Sequence, residues 1–440
     1  MTRTVATGGL LVLGIGAALL ALALAFFLVA DDGGGRSPAP AAVSADLVTT
    51  TSAEIAFWEE RLAADPADFT AADRLASAYI QRGRESGDVS DFTRAQAAVN
   101  ASFASFSDNP AAFGLLATLQ NVRHEFAAAI VSAERSLELD PTQDHLLSAI
   151  GDAQVGLGLY AEAFDNYTSL TDQAPSLAAF SRLAYVYELR GDLANAEGAW
   201  GNALSLDSGS NAEASAWANT QYATFRLNQG DLDDAATPYD AALDSFPGYI
   251  HALAGQARVA AANGDYDSAI ALYTQVTERQ PLPEYVAALG DVYAVAGQTA
   301  EAAEQYALVE AIRQLYVANG INTDLQIAVF LADHDLRLDE ALASAEAVYA
   351  ETPGNIYAAD ALAWALYKNG RAGDALPYAE EALRLATQGA SLWYHSGLIH
   401  AATGDEASAR AHLQTAIDIN PHFSPLQAPI AEQTLAELGG

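Results

Sequence analysis

The chain has 440 residues, 51% of them hydrophobic and 17% charged, a composition that folds, because disordered chains carry far fewer apolar side chains. Twenty lysines and arginines against 56 aspartates and glutamates give a formal charge of −36, which repels nucleic-acid phosphates and argues against nucleic acid as a partner. The absence of cysteine excludes disulfides, thiolate metal sites, thiol nucleophiles and a lipidated N-terminal cysteine.

Residues 1–5 place Arg3 ahead of an uncharged run from Thr4 to Ala30, which closes on Asp31 and Asp32. As a helix, residues 6–30 would reach roughly 37 Å, enough to cross a hydrocarbon core of about 30 Å. The flanking charges predict a single-pass signal-anchor with a cytoplasmic N-terminus and the remainder extracytoplasmic. The alternative is a cleaved signal peptide, for which ALALA (21–25) offers small residues at the cleavage spacing, and a secreted product. Residues 31–51 mix Gly, Ser, Pro and Thr without helical periodicity and read as a flexible linker, and residues 52–67 as a lone capping helix.

From residue 68 to 422 one pattern recurs. Gly191, Ala196, Trp200 and Ala203 share their offsets with Gly264, Ala269, Tyr273 and Val276, with Gly297, Ala302, Tyr306 and Val309, and with Gly158, Ala163, Tyr167 and Leu170. Gly370 and Gly404 begin further copies. In each unit an apolar stripe at i, i+3, i+4, i+7 marks a first helix, glycine ends it, and a second stripe marks an antiparallel partner. Proline often closes the unit, as at Pro141, Pro175, Pro281, Pro353 and Pro421. On the first helix a small residue follows a larger one, as in Leu75/Ala76, Ile150/Gly151, Leu183/Ala184, Leu289/Gly290 and Leu362/Ala363, and Ala328/Val329 stands in the same register. Two units lack the turn glycine and carry His124 and Leu336 there.

This pattern resembles the tetratricopeptide repeat family. The resemblance implies an all-α fold: a right-handed α-solenoid of about ten helix-turn-helix units, here preceded by the membrane helix and closed by a capping helix within residues 423–440. It also implies a non-enzymatic scaffold whose concave groove takes protein or peptide partners. The family's clamp for a terminal carboxylate, built from paired Lys and Asn/Arg, has no counterpart in a chain whose single lysine is Lys368.

Nothing in the sequence points to other chemistry. His395 and His400 are five apart and do not share a helix face, and no H-E-x-x-H, calcium loop, G-x-S-x-G or phosphate-cradling loop stands in context. Neither a metal nor a cofactor is expected.

The stripe opposite the core predicts the groove. In chain order it carries Tyr185 and Glu188, Trp217 and Asn228, His251 and Arg258, and Asp291. Phe330 follows, with Asp333 and His334 beside it, then Tyr357, Asp360, Trp364, Tyr367, Lys368 and Tyr394. Aromatics among scattered charges suit a peptide or a partner's helix. For Phe330, Trp364 and Tyr394 the competing expectation is packing between adjacent first helices. Self-association through the array ends, as in a structural cell-envelope protein, is the alternative to the adaptor.

Overall fold

The computed structural model describes residues 43–143, 145–318 and 322–439. The expected membrane segment 6–30 and residues 31–42 of the expected linker lie outside them, and among the described residues no helix is long and apolar enough to cross a membrane. The first helix, α1 (Val43–Ala64), takes up residues 43–51, which the sequence reading assigns to linker, because that stretch continues without a helix breaker into the capping helix.

Ten antiparallel hairpins follow. They are α2/α3 (Phe69–Ser86, Ser90–Ser105), α4/α5 (Pro110–Val122, Phe126–Leu139), α6/α7 (Leu146–Gly156, Tyr160–Gln173), α8/α9 (Leu177–Leu189, Leu193–Ser205) and α10/α11 (Ala212–Asn228, Leu232–Ser245). The second five are α12/α13 (Ile250–Ala262, Tyr266–Arg279), α14/α15 (Pro283–Val295, Thr299–Ala318), α16/α17 (Asp324–Asp333, Leu338–Glu351), α18/α19 (Ile356–Lys368, Ala372–Ala382) and α20/α21 (Ala390–Thr403, Glu406–Ile419). The terminal helix α22 (Ala428–Glu437) packs on α21. No strand occurs among the described residues.

Local chemistry sets the boundaries. Asn109, Ser176, Asn211 and Asn355 cap their helices by accepting from backbone N–H groups two or three residues on, which satisfies donors that the helix cannot. The two units without a turn glycine keep the left-handed turn through His124 (φ 62) and through Asp335 (φ 54), one residue before Leu336.

The small position of each first helix lets the second helix approach. Ala76, Ala117, Ala184, Ala223, Ala257 and Ala363 are fully buried, and a Cβ added at Gly151 would lie 2.3 Å from the Tyr167 ring. In α16 the pair sits one residue earlier than the sequence reading has it: Ile327 and Ala328 are buried, and Val329 turns inward. Between the third and fourth hairpins lies a buried ion pair, with Arg182 donating to Asp152 at 2.8 and 2.9 Å while the Tyr167 hydroxyl donates to the same carboxylate at 2.7 Å.

The solenoid touches itself six hairpins on. Asn355 Nδ2 donates to the Gly156 carbonyl (2.9 Å) across 199 residues, Thr387 Oγ1 to the Leu189 carbonyl across 198, and Asn420 Nδ2 to the Leu227 carbonyl across 193. Each bond joins the turn inside one hairpin to the loop leading into the element six units later; those to Gly156 and Leu189 satisfy carbonyls that a helix C-terminus leaves orphaned, whereas the Leu227 carbonyl also accepts from the Gly230 N–H. Gly158 (φ 77) lies so close to Gly354 that an added Cβ would come within 1.9 Å of its backbone, and a Cβ at Gly87 would run into the Gln280 side chain. The expected concave groove is therefore wound into a superhelix whose successive turns touch.

Candidate functional site

The contact between successive superhelical turns makes the concave surface a partly open chamber of about 420 Å³, a size that suits a small ligand or a short peptide segment. First helices α8, α10, α12, α14, α16, α18 and α20 supply most of its wall. The floor comes from the 20-residue α15, longer than the other second helices, whose final turns bring Arg313 and Tyr316 inward.

Of the residues expected in the groove, Tyr185, Glu188, Asn228, Arg258, Asp291, Phe330, Tyr357 and Asp360 line the chamber together. The other six, Trp217, His251, Trp364, Tyr367, Lys368 and Tyr394, are not part of that wall. Trp364 and Tyr394 are 2% and 1% exposed and pack between neighbouring first helices, because a close-wound array presses adjacent aromatic stripes together. Trp217 is buried against Trp200, and His251 meets the Tyr285 hydroxyl, with burial pushing its pKa down to about 4. Tyr367 stacks on Trp364 at 5.1 Å. The Lys368 ammonium, expected to await an acidic ligand group, is paired with Asp335 at 2.7 Å and lies 5.1 Å from the Trp364 ring.

A chain of carboxylates and imidazoles runs along one wall. His334 Nε2 is 2.7 Å from Asp291 Oδ1, which also accepts from the Tyr306 hydroxyl at 2.9 Å. Asp333 Oδ1 accepts from Trp364 Nε1 at 2.8 Å and from Gln427 Nε2 at 2.7 Å. His395 Nδ1 lies 3.0 Å from both oxygens of Asp360, and its ring stacks on Trp364 with centroids 4.1 Å apart. Burial opposes charge on both imidazoles, yet the pKa of His334 is raised by Asp291 and that of His395 by Asp360 and Asp333. Burial pushes the Asp333 carboxyl up, against the pull of His395 and His334. No group of three or more potential metal ligands occurs among the described residues.

Elsewhere on the lining, Arg258 donates to Asn228 Oδ1 at 3.0 Å, and Glu188 Oε1 accepts from Trp200 Nε1 at 2.8 Å. Burial pushes the Glu188 pKa up to about 8, so it stays protonated at neutral pH. An acid with a raised folded pKa loses stability as pH climbs from its unfolded value to its folded one. Glu188→Gln keeps the acceptor for Trp200 and is expected to raise the melting temperature at pH 8.5 with little effect at pH 4, by about 2–4 °C for each kcal/mol released. Thermal scans at the two pH values check it, and an equal shift at both would refute it.

Sequence patterning brings out Asp333 and His334 beside Phe330. It misses His395, Tyr316, Arg313 and Gln427. His395 sits on a face that periodicity assigns to packing, and Tyr316 and Gln427 come from an insertion and a terminal segment that repeat register does not cover.

Stacked helical hairpins with a buried small residue on each first helix define a helical-repeat solenoid. Models of the tetratricopeptide repeat match residues 148–211, 226–292 and 361–422. These segments of the chain are tetratricopeptide repeats, and proteins built of such repeats generally mediate protein–protein interactions.

Similar solved structures include a tetratricopeptide repeat protein from Parabacteroides merdae, at 18% identity over 62% of this chain and 99% of the other, with a TM-score of 0.36. Pseudomonas aeruginosa pilF is similar at 17% identity over 48% and 90%, TM-score 0.36. YrrB, a repeat protein with an unusual peptide-binding site, is similar at 20% identity over 42% and 92%, TM-score 0.28. No curated protein sequence matches the chain.

Proposed function

We propose that this protein is a non-enzymatic adaptor that receives a segment of a protein partner in its central chamber, tethered to a membrane through residues 6–30 with the repeats outside the cytoplasm. The observation that carries the binding site is the convergence of eight groove-stripe residues, Tyr185 to Asp360, on one chamber of about 420 Å³. Arg3 before the uncharged run and Asp31 and Asp32 after it support the tether and its direction.

A photocrosslinking residue placed at Asn228 or Phe330 in the full chain in cells is expected to attach to a discrete protein partner, and the same residue at the exposed Val131 is not. Identical adducts from chamber and surface positions would sink the proposal.

Self-association is a second reading. The turns at Gly264, Gly297, Gly370 and Gly404 have no atom of the described residues within 4 Å of an added Cβ, so the edge that Gly158 uses within the chain is uncovered by them in these later hairpins. A second copy docking there would continue the superhelix against the repulsion of a −36 charge. Sedimentation of the detergent-solubilised chain at rising salt is expected to show larger species under this reading and a single species under the adaptor reading.

A further inference from the structure

Five carboxylates line the chamber against two guanidiniums, yet most of these charges are already committed. Arg313 is held by Glu310 at 2.8 Å and Glu340 at 3.3 Å. Glu188 is kept protonated by burial, Asp291 is spent on His334 and Tyr306, and Asp360 on His395. Asp333 differs. Its Oδ1 accepts from the neutral donors Trp364 and Gln427, and the only cation-forming group that reaches it within 4 Å among the described residues is His395, with Nε2 at 3.9 Å.

His395 is 3% exposed, lines the chamber, and its Nε2 has no hydrogen-bond partner among the described residues. With Nδ1–H directed to Asp360, Nε2 presents a lone pair towards the carboxylate of Asp333. Two acceptors facing each other at that distance repel unless a proton lies between them. A buried acceptor left unpaired is costly, and a charged donor satisfies a carboxylate more strongly than a neutral one.

We propose that the Asp333–His395 wall of the chamber binds an alkylammonium or guanidinium group, its N–H donors reaching the Asp333 carboxylate and His395 Nε2 while Phe330 and Tyr357 cover the ligand's apolar stem. This rests on the chamber being a binding site, as argued above, and adds the charge of what enters it. Arginine and lysine side chains of a partner and free small cations share this chemistry. Arg258, also on the chamber lining, repels the same group.

The ligand competes with a proton on His395. The ionisable groups that face this ring are Asp360 and Lys368 on α18, Asp333 on α16 and Tyr394 on α20 itself, and the carboxylates outweigh the ammonium in holding that proton. Cation affinity therefore falls as the pH is lowered from 8 to about 6, where an unperturbed imidazole already gains its charge.

The test is calorimetric titration of the full chain in detergent with three probes: acetyl-Gly-Arg-Gly-amide, the same peptide with neutral citrulline for arginine, and agmatine. The arginine peptide is expected to bind at least about tenfold more tightly than the citrulline peptide, as one charged hydrogen-bonded contact implies. Asp333→Asn is expected to remove that preference, and Arg258→Gln to leave it intact or strengthen it. Equal binding of the arginine and citrulline peptides overturns the proposal, and so does a larger loss from Arg258→Gln than from Asp333→Asn. Should Asp333→Asn fail to fold, the wild-type preference and its loss towards pH 6 decide the matter.

Agmatine binding without binding of the arginine peptide keeps the cation site and overturns the protein-partner reading. A partner crosslinked at Phe330 together with indifference to charge does the reverse.

Discussion

Arg182→Met is expected to destabilise the fold by about 3–5 kcal/mol, read as a lower denaturation midpoint by circular dichroism. Arg182 is 0% exposed and its guanidinium grips both oxygens of Asp152, so removing it leaves a buried carboxylate without its counter-charge. The cost comes from that orphaned charge, since a buried pair gains little net energy over apolar packing once both ions have been desolvated. Restoring neutrality should then recover most of the loss. Asp152→Leu in the Arg182→Met background leaves the Tyr167 hydroxyl unpaired, so the full comparison adds Tyr167→Phe. A triple variant no more stable than Arg182→Met would show that the pair contributes more than mutual neutralisation.

The second large effect concerns closure. Gly158→Ala and Gly297→Ala introduce the same methyl group at nearly the same backbone angle, φ 77 and φ 78. Both incur the strain of a left-handed alanine, about 1–2 kcal/mol. They differ in surroundings: the Cβ at Gly158 meets Gly354 backbone within 2.0 Å, whereas at Gly297 nothing lies within 4 Å. Backbone has no rotamer with which to move aside, so Gly158→Ala is expected to separate the two superhelical turns, enlarge the radius of gyration in small-angle scattering and open the chamber. Gly297→Ala should lower stability and leave the dimensions unchanged. Asn355→Ala removes both a helix cap and the bond to Gly156, and is expected to fall between them. Equal scattering profiles for the two glycine variants would show that the six-unit contact does not hold the chamber closed.

Much of this architecture is legible in the residues. The unit period, the turn glycines and the small residue on each first helix follow from helix periodicity and close approach, which act within about 34 residues of chain. The register fails by one residue in α16, where Ala328/Val329 is expected and Ile327/Ala328 is buried, because an inserted segment before it resets the phase. The groove stripe is legible as a face of each helix, and eight of its residues do converge on the chamber.

What periodicity does not carry is how tightly successive hairpins are wound. That angle is the sum of small offsets at every hairpin interface, and no local pattern encodes it. It decides that Trp364 and Tyr394 become packing between helices while Tyr185 and Tyr357 face a cavity. It also brings the Gly156 carbonyl to Asn355, and Gln427 of the terminal segment to Asp333.

The sequence by itself determined an acidic all-helical array of tetratricopeptide hairpins, since each hairpin is specified by nearby residues. Only the tertiary structure decided that the array closes after six hairpins, and that Asp333 and His395 meet on a chamber wall. Contacts across some 190 to 200 residues depend on the accumulated geometry of all the units between them.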